Sequence, residues 1–140
     1  MVKRRENDRE RPPDVIIRFE HDPGAPGKVR RALRALSAAN DPIADEVAGV
    51  ASELVSNVLQ HTHNGGTARA WGAKPDFPFR LEVTDSSTHL PVLGDPHDGG
   101  GRGLIIIDHL AHRWGVNPAA DGKTVWAEFD RSDPDEPTDS

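Results

Sequence analysis

Apolar residues recur along the chain at two spacings, and the change from one to the other marks out its elements. Over 28–39, Val29, Ala32, Leu33 and Leu36 keep the helical spacing of about 3.6 residues. Pro26 lies just ahead of them, where a helix tolerates proline. Asn40-Asp41-Pro42 then breaks the stripe and starts another, Asp41 serving as N-cap and Pro42 as the first helical residue. A longer helix is predicted over 42–61, with Val47, Val50, Ala51, Leu54 and Val58 toward the core. His63-Asn64-Gly65-Gly66 ends it, with glycines where a positive φ is needed. Helical spacing resumes over 103–114, with Leu104, Ile107, Leu110 and Ala111 on one side.

Elsewhere the spacing is that of strands. Val15–Phe19 reads as one, followed by the turn residues His21-Asp22-Pro23-Gly24. Two more are predicted over 67–73 and 79–84, separated by Lys74-Pro75-Asp76, and Leu81 and Val83 alternate with Arg80, Glu82 and Thr84. A last strand over 124–129 follows the turn Asp121-Gly122-Lys123. Residues 85–101 are rich in Ser, Asp, Pro and Gly and have no periodicity, as a functional lid or a disordered loop would. The order strand, two helices, two strands, lid, helix and one or two strands predicts an α+β fold. It is a two-layer sandwich with helices on one face of a mixed or antiparallel sheet. The domain spans 14–129, between a disordered N-terminal arm over 1–13 and a disordered acidic tail over 130–140.

Composition narrows what such a domain could do. At 140 residues the chain suits one hydrophobic core. Its longest apolar runs, Val15-Ile16-Ile17 and Leu104-Ile105-Ile106-Ile107, fall far short of the roughly 20 residues that span a bilayer. A charged start without an apolar stretch gives no secretory signal, so a cytoplasmic protein without a membrane partner is expected. The absence of cysteine removes disulfides, thiolate metal sites and thiol nucleophiles. A formal net charge of -6 argues against direct nucleic-acid binding, which favours basic surfaces.

Four local patterns could carry chemistry. In Ser52-Glu53-Leu54-Val55-Ser56-Asn57, Glu53 and Asn57 lie four apart, on one helical face at the edge of the apolar stripe. An amide oxygen suits Mg²⁺, and a carboxylate one turn away can orient or deprotonate a hydroxyl; alone, the pair also reads as a solvated helix flank. Asp85 closes an apolar strand, where its carboxylate could accept from an exocyclic amine such as that of adenine or simply begin a turn. Gly99-Gly100-Gly101-Arg102-Gly103-Leu104 enters a helix, so a close backbone, free N–H groups and a guanidinium could meet an anion. It has neither the Gly-Lys-Ser/Thr of a Walker A loop nor the preceding strand of a dinucleotide fingerprint. Fourth, Thr124 in Gly122-Lys123-Thr124-Val125 could add a hydroxyl to the same pocket or sit on a strand surface.

Taken in order, these patterns resemble the N box, G1 box, G2 box and closing Gly-x-Thr of the GHKL ATPases, whose ATP-binding unit is the Bergerat fold. The stretches Ser52–His61, Asp85-Ser86-Ser87, Gly101–Ile107 and Arg113–Ala127 look most like the small RsbW-type anti-sigma-factor serine kinases. The resemblance covers roughly 15–129.

The resemblance implies ATP and Mg²⁺ as cofactors, with Asn57 as metal ligand and Glu53 as catalytic base. Asp85 would read the adenine amine together with Thr124. Gly101, Arg102, Gly103 and Leu104 would hold the nucleotide at the end of a lid formed by 86–100. It also implies a STAS-type anti-sigma-factor antagonist as phosphoacceptor, an RNA polymerase sigma factor as binding partner, and a homodimer. The G1 motif here is Asp-Ser-Ser, without the glycine of larger family members. A regulatory module that binds nucleotide and partner without phosphorylating either stays open, as does a detached ATP-hydrolysing domain. His61 and His63 lack evident carboxylate partners for a metal, and Trp71, Trp114 and Trp126 are spaced as packing residues.

Overall fold

The computed structural model describes residues 11–37, 41–88 and 102–130. In chain order the elements are β1 (Val15–Phe19), α1 (Ala25–Arg34), α2 (Ala44–His61), β2 (Gly66–Trp71), β3 (Phe79–Asp85), α3 (Arg102–Leu110), β4 (Arg113–Ala119) and β5 (Gly122–Phe129). The five strands form one sheet in the order β1-β2-β3-β5-β4, with every neighbouring pair antiparallel. The three helices pack over one face, giving the expected two-layer α+β sandwich with a wholly antiparallel sheet.

Strand alternation sorts the residues onto the two faces. Toward the helices point Ile17 and Phe19 of β1, Ala68 and Ala70 of β2, Phe79, Leu81 and Val83 of β3, and Val125, Ala127 and Phe129 of β5. They form one core with Val29 and Leu33 of α1, Val47, Val50, Leu54 and Val58 of α2, and Leu104 and Ile107 of α3. The predicted stripe of α2 is buried throughout. That burial, more than intrinsic propensity, stabilises the helix. An exposed ion pair from Arg34 to Asp45, 3.0 Å apart, links α1 to the start of α2.

Three local readings of the sequence need correction. The helix predicted over 103–114 stops at Leu110: Ala111 donates the last helical bond to the Ile107 carbonyl, and the His112 N–H already turns to the Glu128 carbonyl across the sheet. Arg113–Ala119 is therefore strand β4, an edge strand, where Pro118 is tolerated. Asp41 caps a turn just before α2, accepting from the Ile43 N–H at 3.1 Å, and the helix begins at Ala44. Gly65 is needed for space, since its φ lies outside the left-handed region and a Cβ there would lie 1.7 Å from the Phe19 carbonyl oxygen.

Packing also reaches past the ends of 14–129. The Trp71 indole donates to the Arg11 carbonyl at 2.7 Å, and the Asp130 N–H donates to His112 Nδ1 at 3.1 Å. The remainder of the predicted arm and tail, 1–10 and 131–140, lies outside the described residues.

Candidate functional site

One end of the sheet gathers the features singled out in the sequence. Phe19 pairs with Gly66, Asp85 with Lys123, and Gly122 with Ala119, so the end of β1, the start of β2, the end of β3 and the start of β5 meet there. The connection from His61 to Gly66 brings the last turn of α2 to the same end. His21 fastens that turn by a 2.8 Å hydrogen bond between its Nε2 and the Leu59 carbonyl, and Asn64 Nδ2 donates to Ser86 Oγ at 3.3 Å. A cavity of about 310 Å³ opens here, lined by Gly65, Gly66, Asp85, Ser86, Asp121 and Lys123 among others. That is near the lower end of small-molecule sites.

Asp85 is buried, on the helix-facing side of β3 in alternation with Leu81 and Val83. Its carboxylate is already engaged. Lys123, directly opposite on β5 and on the same face, places its Nζ 3.1 Å from Oδ1 and 2.9 Å from Oδ2. The two side chains are only 7 % and 3 % exposed, lysine first. The Ser87 N–H adds a third hydrogen bond to the carboxylate, to Oδ1 at 2.8 Å. Sequence reasoning passed over Lys123, although its spacing of two from Val125, Ala127 and Phe129 marked it as inward-facing.

Thr124 takes the other face. Its hydroxyl lies 2.8 Å from that of Thr84, its cross-strand partner, and the two are hydrogen-bonded on the side away from the helices. Thr124 does border the cavity, but a strand's side chains alternate. Its hydroxyl therefore lies on the opposite side of the sheet from the Asp85 carboxylate, although both residues line the same cavity.

The remaining predicted residues are placed as follows. Glu53 and Asn57 are both half-buried on α2, beside the buried Leu54 and Val58, and neither lines the cavity. They are separated by about 6 Å along the helix axis, and Asn57 is the nearer to the sheet end that carries Asp85. Arg102 and Gly103 open α3. Leu104 is buried in the core, so it can offer a ligand only its backbone. Gly101 and most of the predicted lid, 89–100, lie outside the described residues.

Among the described residues no group of three or more His, Cys, Asp or Glu side chains could hold a metal ion. No described helix is long and apolar enough to cross a membrane. An adenine amine needs a free carboxylate lone pair at Asp85. Ser87 and Lys123 occupy Oδ1 and Lys123 also holds Oδ2, so one lone-pair site on Oδ2 is left, beside a buried ammonium.

No family model matches the chain. An uncharacterized protein of Streptomyces coelicolor, SCO4941, is 32% identical over 82 residues, which are 55% of this chain and 78% of that protein. The chain belongs to the family of that protein. Among solved structures, the RsbU and RsbW domains of Rv1364c from Mycobacterium tuberculosis superpose with a TM-score of 0.66 at 23% identity. The match covers 89% of this chain but only 34% of that one. The likeness is one of fold: an α+β sandwich with a five-stranded antiparallel sheet and three helices, matching an RsbW-like GHKL fold.

Proposed function

We propose that the protein is a regulatory module of the RsbW-like kind, which binds a protein partner and responds to an adenine nucleotide at the Asp85 end of its sheet. The observation that carries this reading is the buried Asp85–Lys123 pair, which borders a cavity on an RsbW-like fold. The carboxylate expected to read a base is present and inward-facing, yet it is held by the protein's own lysine. That suits a site with a closed and an open state better than one standing ready for turnover. Its partners would be those the resemblance implies, an RNA polymerase sigma factor and a STAS-type antagonist, acting on a monomer or a homodimer in the cytoplasm.

A second reading, a protein serine kinase that phosphorylates the antagonist, is supported by Glu53. A module that only binds has no use for a base, and Glu53 stands half-buried one helical turn before Asn57. In that reading Asn57 would hold the Mg²⁺ of the bound nucleotide and Glu53 would take the proton of the attacking serine. Bound Mg·ATP would supply the phosphoryl group and the charge neutralisation its transfer needs.

One experiment separates the two. Candidate STAS proteins are incubated with radiolabelled ATP and either wild type or Glu53→Gln, and binding to a sigma factor is measured with and without nucleotide. No phosphoprotein, with partner affinity that changes on adding nucleotide, is the result expected of the module. Transfer by wild type that falls by roughly 10²–10⁴ in Glu53→Gln, the loss typical of a missing general base, would establish the kinase instead.

A further inference from the structure

We infer that Lys123 is the residue that sets this protein's nucleotide affinity, by competing from within the fold for the carboxylate that an adenine amine would use. The inference rests on the nucleotide-responsive reading above and names the group that controls it.

Cross-strand register is the starting point. Asp85 and Lys123 are paired residues on antiparallel strands and share the helix-facing side, so their side chains meet without any rearrangement. Both are buried, and Nζ spans the two carboxylate oxygens at 2.9 and 3.1 Å. In this low-dielectric setting neither charge can lose its partner without replacement. The ammonium fills the buried space beside both carboxylate oxygens, so a ligand that donates to Asp85 competes with it, and a displaced ammonium must find another home.

The cavity provides one. It reaches both members of the pair and also borders Asp121, an exposed carboxylate two residues before Lys123. A lysine side chain is long and flexible, so Nζ can leave Asp85 for Asp121 or for water while the strand stays in place. The site therefore has a closed arrangement, with Lys123 on Asp85, and an open one that accepts a base. Because only the open fraction binds, the apparent dissociation constant exceeds the intrinsic one by the reciprocal of that fraction.

The test is calorimetric titration of Mg·ATP into wild type, Lys123→Ala and the double variant Asp85→Asn/Lys123→Ala, each first shown to melt cooperatively. Lys123→Met, which keeps the buried stem, replaces the alanine variant if that one does not fold. With the pair open in one molecule in ten or fewer, removing the lysine tightens Mg·ATP binding by about tenfold or more. Adding Asp85→Asn then abolishes the gain, because the amine has lost its acceptor. Unchanged or weaker binding by Lys123→Ala, beside measurable binding by wild type, overturns the inference and leaves nucleotide binding intact, with Lys123 as a ligand or bystander. Failure of every folded variant to bind Mg·ATP overturns both the inference and the reading it rests on.

Discussion

Strands β3 and β5 carry two buried cross-strand ion pairs, one near each end of the ladder and on opposite faces of the sheet. Arg80 faces Glu128 at 2.7 Å on the side away from the helices, and Asp85 faces Lys123 at 2.9 Å on the core side. The first pair is embedded in a network. Arg80 also bonds Glu82 at 2.8 Å and lies 4.6 Å from the centre of the Trp126 ring, while Glu128 takes a second bond from Arg113 at 2.9 Å. Arg113 is in turn held by Asp130. Among the described residues the second pair has one further partner, the Ser87 N–H, and it borders a cavity. The same strand-to-strand pairing thus gives a fixed joint where neighbours saturate the charges, and a movable one where space lies beside them.

If that contrast is right, the largest stability effects belong to the network. Arg80→Ala strands the buried Glu128 beside the partly exposed Arg113 and removes the contact with Trp126, and should cost about 3–5 kcal/mol. Lys123→Ala should cost less, about 1–3 kcal/mol, since water from the cavity can reach Asp85 and the Ser87 N–H remains. Urea denaturation measures both. A larger loss for Lys123→Ala than for Arg80→Ala would reverse the comparison and make the Asp85 end the fixed joint.

Acid separates the pairs in another way. Burial pushes the Glu128 carboxyl up, but hydrogen bonds from Arg113 and Arg80 outweigh it and hold the group below its ordinary value of 4.5. A carboxyl whose folded pKa is depressed contributes stability that is present above the unfolded pKa and lost as pH falls through the folded one. Wild type should therefore exceed Glu128→Gln in stability by a margin that is constant near neutrality and shrinks once pH drops below about 4.5. Thermal melts over a pH series would show it. A gap that stays the same down to pH 3 would mean that the charge on Glu128 contributes nothing.

Much of this architecture was legible because burial imposes a period. The α2 stripe from Val47 to Val58 reads correctly since each of its residues is in the core. β4 was hidden because only Trp114 and Val116 point inward, and Trp114 also continues the helical spacing of Leu110 and Ala111. Of the site, Asp85 could be read as a strand-ending acceptor, but its partner could not be found by scanning for known motifs. Lys123 breaks the apolar alternation of β5, and an inward lysine has meaning only once the register shows which residue faces it. The side of the sheet that carries the Thr124 hydroxyl was hidden for the same reason: a motif fixes the order of residues, while the face of the sheet follows from parity along the strand.

The smallest expected effect comes from the pair next to Asp85–Lys123 in the same ladder. Thr84 and Thr124 are also cross-strand partners, neutral and half-buried, with hydroxyls 2.8 Å apart on the face away from the helices. Removing one hydroxyl leaves the other free to bond water at a partly exposed position, so Thr124→Val should cost less than about 1 kcal/mol. Replacing both, in Thr84→Val/Thr124→Val, should cost no more than the worse single change, because neither hydroxyl is then left without a partner. Denaturation of the two single variants and the double variant closes the cycle. The same proteins test where the base-reading group lies. Since the Thr124 hydroxyl sits on the far face, its loss should leave Mg·ATP affinity within about twofold of its parent, a free-energy change below RT. A fall in affinity as large as that caused by Asp85→Asn would bring Thr124 back to the base and show that the two faces of β5 are not functionally separate.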